Sequence, residues 1–224
     1  MIVVHHLNNS RSQRVLWLLE ELGVEYELRK YQRNAETMLA PPELKAVHPL
    51  GKSPLITDGD LTLAESGAIV EYLADRYGGS KLARAHRSPE RVRYTYWLHY
   101  AEGSAMPPQL LKLIVDRIAS AKVPFFIRPI TRGIRDKAMT SFIGPQLKLH
   151  LDYMENELAR AQWFCGSEFS AADIQMSFPL ELAVVRSGLD ASRPNLMAFL
   201  HRIHSRQAYQ RALERGGKYD YAAD

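Results

Sequence analysis

The chain has 224 residues, of which 46% are hydrophobic and 24% charged, with a formal net charge of +4 and a sequence pI near 9.1. This length allows one large domain or two small ones, and the composition is ordinary for a globular protein. No apolar run approaches the roughly 20 residues of a membrane span, and no reading motif accompanies the dispersed basic residues. We therefore expect no membrane and no nucleic-acid partner.

The single cysteine and the N-terminal residues bear on location. Cys165 is the only cysteine, so no internal disulfide can form. Residues 1–10 (MIVVHHLNNS) lack the basic flank and long apolar core of a signal peptide. Both features favour a cytoplasmic protein.

The first predicted elements are a strand, a helix and a second strand. Residues 2–7 (IVVHHL) are β-branched and short, as in a strand. From Arg14 the apolar residues recur at helical spacing, and Gly23 provides a C-terminal stop. Residues 26–31 alternate and form the second strand. This order implies a right-handed βαβ unit with parallel strands.

A connector, a hairpin and a helix follow. Residues 32–50 are polar and rich in proline, which predicts a loop with one short helix. Two short apolar runs then flank Asp58-Gly59, a hairpin turn signal, and a helix follows from Glu65 to about Gly78. The whole order, βαβ then ββα, is similar to the thioredoxin-like fold.

Strand signals end after a polar linker at residues 79–88. The predicted helices of the second half lie near residues 89–119, 134–160, 171–187 and 194–214. The sequence therefore predicts two domains, an α/β thioredoxin-like domain at about 1–78 and an all-α domain at 89–224.

Three places could carry chemistry. The strand-to-helix junction NNSRS, residues 8–12, presents free backbone N–H groups and a positive helix end to an anion. Pro54, after Ser53, fits an edge strand, and from the residues alone a cis bond is improbable. Ser66 is expected to be a helix N-cap; alternatively it holds a carboxylate while Glu65 pairs with an ammonium, which would suit an α-amino acid end.

Other residues favour structural interpretations. Ser170 and Asp173 form a predicted capping box, and Cys165 is interpreted as a small buried hydrophobe. The histidines lack the spacing of a metal site, so no metal is predicted. One helical stripe is a core stripe by default or, alternatively, a cleft wall; it comprises Tyr94, Trp97, Tyr100 and Met106.

Four segments together resemble the cytosolic glutathione S-transferase superfamily, in particular its bacterial and fungal members. They are NNSRSQRVLWLLEELGVEYE, HPLGKSPLI, LAESGAIVEYLADRYG and FSAADIQMSF. The resemblance covers essentially the whole chain. It implies a homodimeric detoxification enzyme that transfers glutathione, as co-substrate and without a metal, to small hydrophobic electrophiles bound between the domains.

The resemblance also implies roles for particular residues. Ser53, before a cis-Pro54, would pair through its backbone with the cysteinyl part of glutathione. Glu65 and Ser66 would hold the γ-glutamyl end, and Lys52 the glycyl carboxylate. The stripe of Tyr94, Trp97, Tyr100 and Met106 would form the wall for the electrophile.

Activation of the thiol is expected at the NNSRS junction. A free thiol with a pKa near 8.5 is only a few per cent thiolate at neutral pH, so a donor must stabilise the thiolate. The family uses Tyr, Ser or Cys here, and this junction has neither Tyr nor Cys. Ser10 is the leading candidate, Asn9 could donate through its amide, and Arg11 could add positive potential; Ser12 is expected to face the first helical turn.

Two alternatives stay open at this point. The same glutathione site could serve a reductase, a peroxidase or an isomerase, since only the acceptor differs. A non-catalytic binding protein of the same fold is the second alternative, although Ser53-Pro54 and Glu65-Ser66 argue against it because a docking protein needs no peptide site.

Overall fold

A computed structural model describes residues 1–85 and 87–222, without the side chains of Ser80 and Lys81. The last two residues of the predicted helical domain lie outside the described residues. The sheet belongs to the N-terminal part, whose elements are β1 Ile2–Leu7, α1 Ser12–Leu22, β2 Tyr26–Tyr31, α2 Glu43–Val47, β3 Leu55–Asp58, β4 Leu61–Ala64 and α3 Ser66–Tyr77.

The four strands form one mixed sheet in the order β2-β1-β3-β4. β1 and β2 are parallel, with Ile2 opposite Tyr26, as the predicted βαβ unit requires. β3 is antiparallel to both β1 and β4. Gly59, at φ 60°, lies in the two-residue turn between β3 and β4, where glycine adopts a positive φ without steric cost. The hairpin prediction is thereby confirmed.

α1 buries its first two turns. Its residues from Ser12 to Leu19 are all buried, and Gly23 ends the helix in the left-handed region at φ 65°. The predicted glycine stop is therefore confirmed. Because α1 begins at Ser12, the last residue of the NNSRS junction, its N-terminus lies near the end of β1 and the start of β3.

The second part of the described chain is helical. Its elements are α4 Gly79–Leu82, α5 Pro89–Tyr100, α6 Met106–Ala119, α7 Arg128–Ala138, α8 Gly144–Arg160, α9 Ala171–Arg186, α10 Pro194–His204 and α11 Gln207–Gly216. Two predicted boundaries differ. The helix expected from residue 134 already begins with α7, because Pro129 in its first turn needs no N–H partner. The helix expected over residues 194–214 is broken at Ser205-Arg206 into α10 and α11.

Two π-helical turns interrupt the long helices. They are Ala101–Ala105 between α5 and α6, and Met139–Ile143 between α7 and α8. Pro107-Pro108 follows the first and Pro145 the second. Proline cannot donate the usual helical hydrogen bond, so a wider turn before it accommodates the freed carbonyls. The first π turn has a functional consequence, because it carries Glu102.

The two parts share one continuous core. Trp17 of α1 packs edge-on against Tyr209 of α11, with ring centroids 5.2 Å apart, and one large cluster joins buried side chains of both parts. Arg206 adds an ion pair to Glu21 across the same contact. In the part of the chain that the structure describes, no helix has the length and apolarity to cross a membrane.

Two structural interpretations from the sequence are confirmed. The Ser170 side chain and the Asp173 carboxylate form the reciprocal capping box at the start of α9. Cys165 is buried, and burial raises the pKa of its thiol to about 12, so it is an inert part of the core.

Candidate functional site

A cleft of about 280 Å³ lies where the sheet meets the helical part. It is lined by Arg11, Leu50, Lys52, Ser53, Pro54, Ala64, Glu65, Ser66 and Glu102. All five residues that the resemblance assigned to glutathione are among them, although they come from two separate segments of the chain. The sixth predicted residue is Arg11, from the NNSRS junction.

The Ser53–Pro54 peptide bond is cis, which corrects the expectation from the residues alone and agrees with the resemblance. The Ser53 hydroxyl donates to the His5 carbonyl oxygen at 3.3 Å and lies 3.3 Å from the Ser10 hydroxyl. Among the described residues, the backbone N–H and C=O of Ser53 form no hydrogen bond. Both groups can therefore pair with an extended ligand.

Glu65, not Ser66, is the N-cap residue of α3, so the predicted N-cap is wrong. Glu65 has φ 69°, and this turn starts the helix directly at Ser66. A non-glycine residue at such a φ costs about 1–3 kcal/mol and is typical of functional sites. The Glu65 carboxylate is exposed and forms no ion pair with a described residue.

Ser66 is buried in a polar cluster beneath the cleft. Its hydroxyl accepts a hydrogen bond from Arg14 Nη2 at 3.0 Å and lies 3.4 Å from both Glu102 Oε1 and Gln175 Nε2. Arg14 also donates to the carbonyl oxygen of Gln175. The hydroxyl is therefore oriented by groups from α1, α9 and the first π turn.

Glu102 binds two arginines. Arg14, whose side chain is 1% exposed, contacts Oε1 at 2.5 Å, and the Arg11 Nε reaches both carboxylate oxygens at 2.9 and 3.0 Å. Burial alone would raise the pKa of Glu102, but Arg14 and Arg11 outweigh it and lower this pKa to about 2. The carboxylate is thus ionised throughout the physiological pH range.

Sequence reasoning missed Arg14 and Glu102. Arg14 stands four residues before Leu18, on the apolar face of α1, and a charge at such a position signals a buried partner. Nothing in the sequence around Glu102 marks it, because its role depends on a contact with a residue 88 positions away.

The side chains of the NNSRS junction differ in how many of their polar atoms already have a partner in the protein. The Asn9 amide donates to Asp220 Oδ2 at 2.7 Å and accepts from the Asp220 N–H at 2.9 Å, which engages both of its ends. Arg11 is held by Glu102. Ser10 is 5% exposed, and its hydroxyl lies 2.7 Å from that of Ser12 and 3.3 Å from that of Ser53.

A chain of hydrogen bonds continues from Ser10 into the core. Ser12 is fully buried and places its hydroxyl 2.9 Å from His6 Nδ1. Burial, with Lys30, lowers the pKa of His6 to about 4, so its ring is neutral at pH 7, and it also bonds to the backbone of Gly216. When the ring donates to the Gly216 carbonyl, Nδ1 is an acceptor and takes the Ser12 proton. In the hydrogen bond between the two serines, Ser10 is then the donor and Ser12 the acceptor.

The aromatic residues predicted for the electrophile wall lie elsewhere. Tyr94 and Trp97 are fully buried and Tyr100 is 7% exposed. Trp97 packs against Phe164, with ring centroids 4.5 Å apart, so the stripe belongs to the core of the helical part. The expectation of a cleft wall is therefore wrong for these three residues.

A larger cleft, of about 620 Å³, adjoins the first one at Arg11. Met106, the fourth predicted wall residue, lines it, together with Leu110, Leu113, Phe178 and Leu182. The Arg11 guanidinium lies 5.0 Å from the centre of the Phe178 ring. This cleft combines apolar side chains with a polar rim that includes Asn9 and Arg33.

The fold and these clefts define a protein with a thioredoxin-like sheet domain beside an all-α domain, and with a cleft where the two meet. Residues 1–75 match the family model of the glutathione S-transferase N-terminal domain, and residues 115–207 match that of the C-terminal domain. The chain belongs to the cytosolic glutathione S-transferase superfamily, as the relatives below also show.

Two curated relatives are similar over most of their length. Glutathione S-transferase 3 of Schizosaccharomyces pombe is 40% identical over 180 residues, which cover 80% of this chain and 73% of that protein. Glutathione S-transferase 1 of Saccharomyces cerevisiae is 34% identical over 223 residues, which cover 96% of this chain and 95% of that protein.

Two solved structures have the same fold. A glutathione S-transferase from Actinobacillus pleuropneumoniae has a TM-score of 0.80 at 35% identity, over 100% of this chain and 97% of that chain. A sphingomonad glutathione S-transferase complexed with glutathione has a TM-score of 0.73 at 26% identity, over 96% of this chain and 98% of that chain.

Proposed function

We propose that the protein conjugates the glutathione thiolate to small hydrophobic electrophiles. The observation that carries this proposal is the smaller cleft, in which Lys52, Ser53, Glu65 and Ser66 converge. Glutathione presents two carboxylates, one ammonium group and an extended backbone. The cleft offers a cation, an unpaired carboxylate, a hydroxyl and free backbone groups, which is a complementary set.

Each group of glutathione can be assigned to one of these residues. The glycyl carboxylate pairs with Lys52, and the cysteinyl backbone pairs with that of Ser53. The γ-glutamyl ammonium pairs with Glu65, while its carboxylate meets Ser66 at the N-terminus of α3, where free N–H groups favour an anion. The bound glutathione of the sphingomonad relative supports the assignment of this ligand to the family site.

Ser10 is proposed as the donor to the sulfur. Its hydroxyl lies beside Ser53, whose backbone would hold the cysteinyl part, and its proton, which Ser12 accepts in the unliganded protein, would turn to the sulfur when the thiolate binds. Asn9 and Arg11 are alternatives, but their present acceptors are the carboxylates of Asp220 and Glu102, which hold a donor more strongly than the Ser12 hydroxyl does. A hydrogen bond to a charged group contributes about 1.5–3 kcal/mol, which corresponds to about 1–2 pKa units of the thiol.

The electrophile is proposed to bind in the larger cleft. Arg11 lines both clefts, so an electrophile against Met106 and Phe178 would lie next to the ligand in the smaller one. Reduction through a mixed disulfide with the enzyme is not favoured, because Cys165 is the only cysteine and is buried.

We also propose a homodimer in the cytoplasm. Val92 and Tyr96 on α5 are exposed, as is Leu149 on α8, and the hydrogen bond of 3.1 Å between Tyr96 and Tyr153 brings the two helix faces side by side. A second copy would cover these apolar side chains. Sedimentation velocity checks this point, and a monomer at micromolar concentration would contradict it.

Titration of the bound thiol tests the activation step. Glutathione is bound to the protein and its thiolate absorbance is followed against pH, for the wild type and for Ser10→Ala. We expect the pKa of the thiol to rise by about 1 unit in the variant, with little change in affinity. An unchanged pKa in Ser10→Ala with a raised one in Asn9→Ala would transfer the role to Asn9. Absence of glutathione binding by the wild type would overturn the proposed function.

A further inference from the structure

The end of the helical hairpin formed by α6 and α7 carries a concentrated positive charge. We call residues 117–137 the hairpin tip. Its charged residues are Arg117, Lys122, Arg128, Arg132, Arg135, Asp136 and Lys137. Six are basic and one is acidic, so the tip has a net charge of +5, whereas the whole chain has +4. The rest of the chain is therefore slightly acidic, and the basic character of the protein belongs to this segment.

The same segment exposes large apolar side chains. Phe125 is 78% exposed and Phe126 65%, and their rings contact each other edge to face at 5.6 Å. Ile130 and Ile134 on α7 are 61% and 54% exposed. α7 buries none of its residues. These side chains contribute little to the folded core and are available to a surface outside the molecule.

Most cations of the tip have no ion-pair partner among the described residues. Arg135 binds Asp116 and Asp136. Within residues 1–85 and 87–222, by contrast, no carboxylate lies within ion-pair distance of Arg117, Lys122, Arg128 or Arg132, which are all exposed. Their charge is thus not neutralised within the described chain, and it surrounds the two phenylalanines.

We propose that the hairpin tip docks on an anionic lipid surface. Basic side chains around exposed aromatic and aliphatic ones are the pattern of helices that lie in the headgroup region, where cations meet anionic lipids and apolar groups enter the acyl boundary. Phe125 and Phe126 at the end of the hairpin enter first, and Arg128 and Arg132 contact the headgroups. This contact departs from the expectation of no membrane partner, which rested on the absence of a spanning segment; docking on the surface requires no such segment.

The charges and the exposed apolar side chains together favour an anionic membrane over a second copy of the chain and over nucleic acid. A second copy of the chain on the same surface would bring one +5 segment against another across a two-fold axis, which is repulsive. A nucleic acid would satisfy the cations, but Ile130 and Ile134 would remain exposed. An anionic membrane surface satisfies both the charges and the apolar side chains.

The tip also adjoins the larger cleft. Arg117 belongs to both, and Leu110 and Leu113 of the same helix line the cleft. Hydrophobic electrophiles partition into lipid, so docking would place the cleft mouth near their source. This last point rests on the proposed function, whereas the docking itself does not.

Vesicle co-sedimentation of the full chain tests the proposal. The vesicles contain phosphatidylcholine alone or phosphatidylcholine with phosphatidylserine, at low and at high salt. We expect binding to the anionic vesicles only, weakened by salt because screening shortens the range of the attraction. The variants Phe125→Ser/Phe126→Ser and Arg128→Glu/Arg132→Glu should each lower the binding constant about tenfold or more. Phe142→Ser and Lys148→Glu, exposed residues outside the tip, are matched controls and should bind like the wild type.

Circular dichroism and glutathione turnover with a water-soluble electrophile accompany each variant. Because the altered side chains are exposed, we expect both to stay at wild-type values. An absence of glutathione turnover in every protein, wild type included, would count against the proposed function alone. Failure of the wild type to bind anionic vesicles, or equal binding by the tip variants, would overturn the docking proposal. A change of oligomeric state in the tip variants without lipid would instead assign the surface to a second copy, and tighter binding to duplex DNA would assign it to nucleic acid.

Discussion

Replacing Glu102 by Gln is expected to destabilise the protein by about 2–3 kcal/mol at pH 7. Burial raises the pKa of this carboxyl, but Arg14 and Arg11 lower it from 4.5 to about 2. At about 1.4 kcal/mol per unit, the net shift corresponds to about 3 kcal/mol of stabilisation. The lower end of the range allows for screening by solvent, because the Glu102 side chain is 31% exposed.

The stabilisation that Glu102 provides should decrease as the pH falls. The pKa of Glu102 is lower in the folded state than in the unfolded state, so its contribution is complete above about pH 5 and is lost as the pH falls towards 2. At pH 3 it should amount to about 1 kcal/mol. The difference between wild type and Glu102→Gln should therefore shrink between pH 7 and pH 3.

Urea unfolding of both proteins at pH 7 and pH 3 measures the difference. Asp136→Asn is the matched control, because it removes a carboxylate that is 62% exposed and pairs with an arginine on the surface; we expect it to cost less than about 0.5 kcal/mol. A loss below about 0.5 kcal/mol for Glu102→Gln at pH 7, or an equal loss at both pH values, would refute the assignment of a strong buried pair.

Three further predictions concern the ligand site and the core. Lys52→Met should raise the KM for glutathione about fivefold to tenfold with little change in kcat, because it removes a cation that contacts only the bound carboxylate; a changed kcat in steady-state kinetics would contradict this role. Cys165 should not react with a thiol reagent in the native protein, since burial raises its pKa to about 12, and it should react fully in denaturant; rapid native labelling would contradict its burial. Asp173→Ala should cost about 3 kcal/mol or more in thermal or urea unfolding, because it leaves the buried N–H groups of Phe164 and Ser170 without a partner, and a loss below about 1 kcal/mol would contradict this estimate.

Local signals in the sequence predict the elements of the fold well. The β1–α1 junction, the turn at Gly59 and the capping box at Ser170 depend on a few consecutive residues, and the structure forms all three. The first residue of α7 is predicted less well, because a polar helix with no buried residue gives no apolar periodicity towards a core.

The site required more than local signals. That Ser53-Pro54 and Glu65-Ser66 line one cleft follows from the β3–β4 hairpin, which brings the residue before β3 next to the residue after β4. By contrast, the burial of Tyr94 and Trp97 and the position of Glu102 depend on how two helices pack, and helical spacing alone does not distinguish a core face from a cleft face.

The guanidinium of Arg14 explains why the two parts of the chain form one site. It lies on α1 and donates to Ser66 at the start of α3, to the carbonyl oxygen of Gln175 on α9 and to Glu102 in the first π turn. The hydroxyl expected to hold the γ-glutamyl carboxylate is therefore positioned through groups that the helical domain supplies. A thioredoxin-like domain on its own would lose two of these three partners, Gln175 and Glu102, and keep only Ser66. Because the same contacts hold the domains together and orient Ser66, glutathione binding and domain docking should weaken together in any variant of this cluster.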